Sequence, residues 1–364
     1  MAKFTRIGMD TSKSVFQLHG VDAEERAVLR KKLRRKELLA FFAELEPTIV
    51  GMEACGGAHY WARELNRLGH EVRLMAPQFV KPYVKRGKND AADAEALCEA
   101  MSRPTMRFVP AKSEEAQAAQ MLAGVREGLI KRRTQLSNKI RGHAAEFGLI
   151  AAKGLEKIEP LLARIAANES LPVLARDLFA ALGEEFRQLK SRLAEIDAKL
   201  RSWHRGNECS KRLAEADGIG PITASMMVMK TPDPKAFRSG RAYGAWIGLT
   251  PKDHSTAGRQ RLGVITRAGD ETLRSLLVSG ATAVIQQVRL GRTKPSPWLA
   301  AILKRKPPKL AAVALANKMA RIAWKLMVTG ERYDQARAMS EGRAAPHKGG
   351  CATRPSRKTI YAQA

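Results

Sequence analysis

The hydrophobic pattern of this chain changes period along its length. Over residues 1–103 short apolar runs alternate with turns and brief helical stretches. The run at 4–10 ends on Asp10, Thr11-Ser12-Lys13 turns the chain, and 14–19 runs back; these read as two strands, with 27–32 a weaker third. Residues 36–45 carry Leu38, Leu39, Phe41 and Phe42 at helical spacing, and Pro47 ends that helix. A strand at 48–53 closes on Glu53 and is broken by Gly56-Gly57. A helix at 60–68 is closed by Gly69, a strand follows at 71–74, and a helix at 90–101 opens with Asp90 and Asp93.

From 112 to 205 the spacing becomes helical throughout. Leu122, Val125, Leu129, Leu136 and Ile140 keep one face, with Lys131, Arg132 and Arg133 between them. Leu182, Phe186, Leu189, Leu193, Ile196 and Leu200 alternate four and three apart, which is a heptad seam. Both stretches predict long helices, as an antiparallel hairpin or a coiled-coil arm, joined by a less regular segment at 151–172. Such an arm dimerises, grips a duplex or simply spaces two domains.

Residues 206–330 read as mostly helical. Ala216-Asp217-Gly218-Ile219-Gly220-Pro221-Ile222-Thr223-Ala224 has the pattern of a helix-hairpin-helix turn, where the N–H groups of the second helix can meet a phosphate. A loop follows with His254-Ser255-Thr256-Ala257-Gly258-Arg259, then Arg261, Gly263, Thr266, Arg267 and Gly269. Small hydroxyl residues among glycines and arginines suit a loop that approaches a phosphate. Phe237 and Trp246 read as core rather than as base-stacking groups. Helices are predicted at 273–288 and 310–328, and 331–364 reads as a disordered basic tail.

Three strands in a meander, then alternating helix and strand, is the element order of an RNase H-like fold. The fold class is therefore α/β plus α. Alone, an Asp at a strand end is a turn or cap residue, and Asp90 could be an N-cap with Asp93 its capping-box partner. Asp10, Glu53, Asp90 and Asp93 together, at strand ends and on one helix face, suit a hard divalent cation such as Mg²⁺ or Mn²⁺. The linker at 78–88 sets Lys81, Lys85, Arg86 and Lys88 among Phe79 and Tyr83, beside that site.

Charge sharpens the picture. Lys and Arg total 64 against 36 Asp and Glu, a net +28, which points to a polyanionic partner, nucleic acid first. Cys55, Cys98, Cys209 and Cys351 show no zinc-ligand spacing and fit a reducing cytoplasm. No apolar run approaches membrane-spanning length.

The motifs Gly8-Met9-Asp10-Thr11-Ser12-Lys13, Glu53-Ala54-Cys55-Gly56-Gly57, Lys88-Asn89-Asp90-Ala91-Ala92-Asp93-Ala94 and Gly218-Ile219-Gly220-Pro221, followed by Gly248-Leu249-Thr250-Pro251 and His254-Ser255-Thr256-Ala257-Gly258, resemble the DEDD transposases of bacterial insertion sequences. The resemblance implies a RuvC-like DEDD domain at 1–103 holding Mg²⁺ on the four acids, a helical or coiled-coil region at 112–205, and a transposase domain at 206–330 with a serine nucleophile. It also implies strand transfer directed by a structured bridge RNA. The partners would be double-stranded DNA of the element ends and target, the guide RNA, and further copies in a homo-dimer or tetramer, on the nucleoid in the bacterial cytoplasm. The family serine falls on Ser255 or Thr256 according to alignment; Ser255 is the only serine in the loop and is the reading taken. Ala257 departs from the glycine of many relatives. Two other readings are a metal-dependent junction-resolving nuclease, in which water attacks, and a catalytically inactive basic nucleic-acid-binding protein.

Overall fold

The computed structural model describes residues 4–84, 89–231, 233–256, 259 and 261–334. It opens with a six-stranded sheet: β1 (Arg6–Thr11), β2 (Val15–Val21), β3 (Ala27–Arg34), then helix α1 (Leu38–Ala43), β4 (Ile49–Glu53), α2 (Ala58–Arg67), β5 (Glu71–Met75), the short α3 (Pro77–Val80), α4 (Asp90–Ala100) and β6 (Phe108–Val109). The strands lie in the order β3-β2-β1-β4-β5-β6. β1, β2 and β3 form an antiparallel meander, β4 and β5 join parallel to β1, and β6 returns antiparallel. This matches the mixed α/β, RNase H-like arrangement expected from element order. β6, only two residues long, was not legible in the sequence.

Strand alternation sorts the side chains of β1 and β4 between two layers. Ile7, Met9, Val50 and Met52 are fully buried against Leu38, Phe42, Trp61 and Leu65 of α1 and α2. The other face carries Gly8 and Gly51 and is covered by α4. A Cβ at Gly8 would sit 2.1 Å from the Ala94 carbonyl oxygen and 2.5 Å from the Cys98 nitrogen. Only a residue without a side chain lets the helix lie this close to the strand. That approach sets the start of α4 over the end of β1.

Two long helices follow. α5 (Glu114–Glu146) and α7 (Val173–Gly206) run antiparallel: Arg126 meets Asp197 at 2.7 Å, while Phe147 stacks edge-on against Phe179 farther along. Leu129, Leu136 and Ile140 bury against Phe186, Leu189 and Leu193, the residues of the predicted seam. With 33 residues, α5 is about 50 Å long at 1.5 Å per residue. The joining segment, irregular in sequence, contains α6 (Ile158–Ala166), which packs into the same core.

The remaining elements are α8 (Glu208–Ala214), α9 (Pro221–Lys230), α10 (Gly240–Ile247), β7 (Pro251–Asp253), β8 (Leu262–Ile265), α11 (Glu271–Arg289), α12 (Pro297–Arg305) and α13 (Pro308–Thr329). α13 lies at the centre, and its alanines 311, 312, 316, 320 and 323 are buried against neighbouring helices. Phe237, Tyr243 and Trp246 pack ring to ring, so Phe237 and Trp246 belong to this core. Lys230, nearly buried at the end of α9, pairs with Glu127 of α5 and with Asp270, the N-cap of α11. Burial disfavours its charge, but hydrogen bonds to Asp270 and Glu127 outweigh that, and its pKa is raised. Among the described residues no helix is long and apolar enough to cross a membrane. The tail expected at 331–364 lies outside the described residues from 335 onward.

Candidate functional site

Three of the four predicted acids converge. One carboxylate oxygen from each of Asp10, Asp90 and Asp93 lies within 4.8 Å of the others. Asp10 is the next-to-last residue of β1, on the α4-facing side, two residues after Gly8. Asp90 and Asp93 open α4 one turn apart, on one face. The cap of that helix is Asn89, whose side chain accepts from the Ala91 N–H at 3.0 Å; Asp90 and Asp93 are therefore free of capping duty. Acids in the first turn also gain from the helix dipole.

Glu53 stands outside this group of three but beside it. β1 and β4 pair in register up to Met9 with Met52, so Asp10 and Glu53 occupy the next row. Gly51, two residues before Glu53, faces Met101, which caps the end of α4, and this places Glu53 on the same side of the sheet.

The electrostatics of the cluster would suit a bound cation. Burial, then the charges of Asp93 and Asp90, and more weakly Glu53, push the Asp10 carboxyl up to about 6. Carboxylates this close, Asp10 and Asp93 half-buried and Asp90 exposed, repel unless a cation lies among them. All donors are oxygens, which fits a hard divalent ion. Of the basic linker, Lys81 and Tyr83 lie in a short helical turn after α3; Lys85, Arg86 and Lys88 lie outside the described residues.

The segment read as a serine loop is a β-hairpin. β7 and β8 pair antiparallel, with Thr266 N–H donating to the Thr250 oxygen and His254 N–H to the Arg261 oxygen, both at 2.8 Å. Pro251-Lys252-Asp253 is polar and exposed, so no alternation announced a strand. Ser255 is exposed, one residue below the Thr256–Arg259 bridge that leads to the tip; Ala257 and Gly258 lie outside the described residues. The Ser255 N–H donates to Asp253 Oδ1 at 2.9 Å, and Ser255 Oγ accepts from the Arg261 N–H at 3.0 Å. The sequence reading missed Asp253, although an Asp two residues before a loop serine is a turn-forming signal.

The hairpin base is tightly fixed. Gly248, at φ 82°, and Gly269, at φ 73°, interlock the two limbs: a Cβ would meet the Ala268 oxygen at 2.1 Å or the Trp246 oxygen at 1.9 Å. Arg274 of α11 donates to the carbonyls of Ile247 and Ala268, one from each limb, at 2.9 and 3.0 Å.

The Gly218 turn joins α8 to α9, as the sequence suggested, but its glycine faces inward. Gly218, at φ 80°, touches α11 and α13, and a Cβ on Gly280 would strike the Gly218 oxygen at 2.1 Å. Close helix packing accounts for this glycine. Gly220, by contrast, faces open space before α9.

Comparison with known proteins places this architecture. A family profile described as "Transposase IS116/IS110/IS902 family" matches residues 210–295, and a DEDD-type IS110 transposase profile matches 7–147. A Sinorhizobium fredii chain named as a transposase (y4pF/y4sB) is 66% identical over 337 residues, 92% of this chain and 87% of that one. A Pseudomonas aeruginosa chain named as a family 20 transposase is 49% identical over 326 residues, 89% and 96% of the two chains. The transposase for insertion sequence element IS1328 of Yersinia enterocolitica is 39% identical over 335 residues, 92% of this chain and all of that one. With profile matches at both the acidic cluster and the Gly218 turn and hairpin, and full-length relatives at this identity, the chain belongs to the IS116/IS110/IS902 family of insertion-sequence transposases, enzymes of DNA transposition.

Proposed function

We propose that this transposase is a Mg²⁺- or Mn²⁺-dependent recombinase that cuts and rejoins DNA through a serine nucleophile under the direction of a structured RNA. The observation that carries the reading is the convergence of Asp10, Asp90 and Asp93, with Glu53 in the adjoining row. These four residues would hold the ion. When bound, it would neutralise phosphate charge and acidify a nearby hydroxyl.

The chain's own groups supply the rest. Ser255 Oγ attacks the scissile phosphorus, its proton leaves, and the P–O3′ bond breaks to free a 3′-hydroxyl. The energy of the phosphodiester is kept in the serine ester, so a 3′-hydroxyl from another strand can reverse the step without a nucleotide cofactor. Arg259, Arg261 and Arg267, in and beside the hairpin, would balance charge on the pentavalent phosphate. Beside β8, a groove of about 1200 Å³ has Arg241, Arg267, Lys309 and Arg321 and no acid among its lining residues, which suits a polyanion. The exposed start of α9 after Gly220 offers further N–H donors to a phosphate, the helix-hairpin-helix role.

The guide RNA rests on the motif resemblance and on the large positive charge. Base pairing, rather than side-chain contacts, would then choose the sites. Assembly into a dimer or tetramer is supported at the far end of the helical pair. There Ile150, Val173, Leu174 and Leu178 are each exposed, apolar surface that a second copy would cover. The protein would work on the nucleoid, in the bacterial cytoplasm.

The test is to express the chain with its insertion sequence and to look for denaturation-resistant protein–DNA material. Ser255→Ala should remove it and leave DNA retention intact, and Asp10→Asn should remove cleavage. Cleavage without an adduct would favour a hydrolytic, junction-resolving nuclease instead. Binding without cleavage in the unaltered protein would favour an inactive nucleic-acid-binding protein.

A further inference from the structure

We infer that Arg30, Lys32 and Arg34 of β3 form a phosphate track that seats the DNA strand being cut where that strand leaves the acid cluster. The inference rests on the proposed reading of the cluster as the place where DNA is cut, and it assigns that site a binding surface.

The run Arg30-Lys31-Lys32-Leu33-Arg34-Arg35-Lys36 is cationic at every position except Leu33. Along a strand such a run divides between two faces. Leu33 is buried in the core beside α1 and α2. Lys31 lies on that side too, its ammonium 4.6 Å from the centre of the Phe41 ring. Arg30, Lys32 and Arg34 take the opposite face, and all three are exposed.

Strand register identifies that face. Across the antiparallel meander Gly8 pairs with His19 and His19 with Arg30; Asp10 pairs with Gln17 and Gln17 with Lys32. Residues directly opposite one another in a sheet point to the same side. Gly8 is the residue pressed against α4, so Arg30, Lys32 and Arg34 stand on the side that holds the acids. Lys32 shares a row with Asp10, two strand spacings or about 10 Å away. Gln17, between them, is only half-buried, so the row is not sealed. Along β3 the three cations are about 7 Å apart, close to the separation of successive phosphates on one strand.

Charge is segregated in the same sense. Asp22, Glu24 and Glu25, in the turn between β2 and β3, lie at the other end of the hairpin and pair with Arg26 and Arg6. Among the described residues no acid pairs with Arg30, Lys32 or Arg34. At the site end, a recess of about 350 Å³ is lined by Lys13, Ser14, Val15, Arg34, Arg35 and Lys36, with no acid among them. Charges on an edge strand also discourage pairing between molecules. That duty asks neither for alignment with Asp10 nor for separation from acids. A strand whose scissile phosphate sits at the cluster continues on either side of it, and one side runs out over β3, where each phosphate displaces counterions in favour of a fixed cation.

The experiment titrates the full-length chain with a fluorescent duplex carrying one end of its insertion sequence, between about 50 and 200 mM salt. The combined variant Arg30→Gln, Lys32→Gln and Arg34→Gln should flatten the plot of log K against log salt by about 2–3 units, since each phosphate contact contributes about 0.9. Lys31→Gln, on the same strand but the other face, should leave the slope unchanged. Arg30→Lys with Arg34→Lys keeps the charges and should keep the slope. A second readout does not depend on the stability of the combined variant: a photo-crosslinking benzoylphenylalanine in place of Lys32 should mark DNA beside the cleavage site. A combined variant no flatter than Lys31→Gln overturns the inference. Crosslinks to RNA, or to DNA remote from the cut, overturn it as well. Cleavage by Asp10→Asn would instead overturn the reading of the cluster, which the salt slope does not probe.

Discussion

Removing the charge at Asp10 should make the metal-free protein more stable. Its carboxyl is raised from 3.8 to about 6, first by burial, then by Asp93 and Asp90. A group whose folded pKa is raised stabilises the fold while protonated, and that contribution is lost as pH climbs from about 4 through about 6. Two units correspond to about 3 kcal/mol at most; because the site is open on one side, solvent screening reduces this to about 1 kcal/mol. Asp10→Asn keeps the shape and removes the charge. At pH 7.5 with chelator, the amides of β1 and β4 should therefore exchange about five-fold more slowly in the variant, by hydrogen–deuterium exchange. Near pH 4, where Asp10 is itself protonated, the two proteins should match. Adding Mg²⁺ should slow exchange in the unaltered protein and leave the variant nearly unmoved. If Asp10→Asn exchanges as fast as the original, or faster, at pH 7.5 without metal, the repulsion argument for an ion site is wrong.

Three other outcomes follow from the geometry. Gly8→Ala should cost about 1–3 kcal/mol in urea unfolding, since its Cβ would overlap the Ala94 oxygen. It should also weaken Mn²⁺ binding by calorimetry, because α4 carries Asp90 and Asp93. Lys230→Met leaves Glu127 and Asp270 facing one another and should cost about 3 kcal/mol, whereas Glu127→Gln, which removes one of the two charges, should cost under about 1 kcal/mol; urea midpoints separate them. Arg274→Ala releases two carbonyls at the hairpin base and should lower adduct formation more than DNA retention.

Much of this was legible where sequence and packing agree. β1, β4 and β5 were readable because short apolar runs end at turns. The acidic set was readable because Asp90 and Asp93 lie one turn apart after a polar linker, in a chain otherwise rich in cations. The heptad seam of α7 recurs as the buried face against α5. What stayed hidden has local causes. α6 was obscured by Pro160, which sits in its first turn, where a missing N–H costs nothing. The hairpin was obscured because its limbs are exposed on both faces and carry no period. The reason for Gly8 lies in contact with a helix ninety residues away, which no local pattern contains.

The ammonium of Lys230 bolts three parts of the molecule at one point: the long strut of α5 through Glu127, the end of α9, and through Asp270 the helix that begins where the serine hairpin stops. A tilt of the strut must then drag the start of α11 with it or tear the bolt out at a cost of two orphaned carboxylates. Whatever seizes the remote apolar end of the helical pair thus has mechanical purchase on the hairpin that carries Ser255, tens of ångströms away.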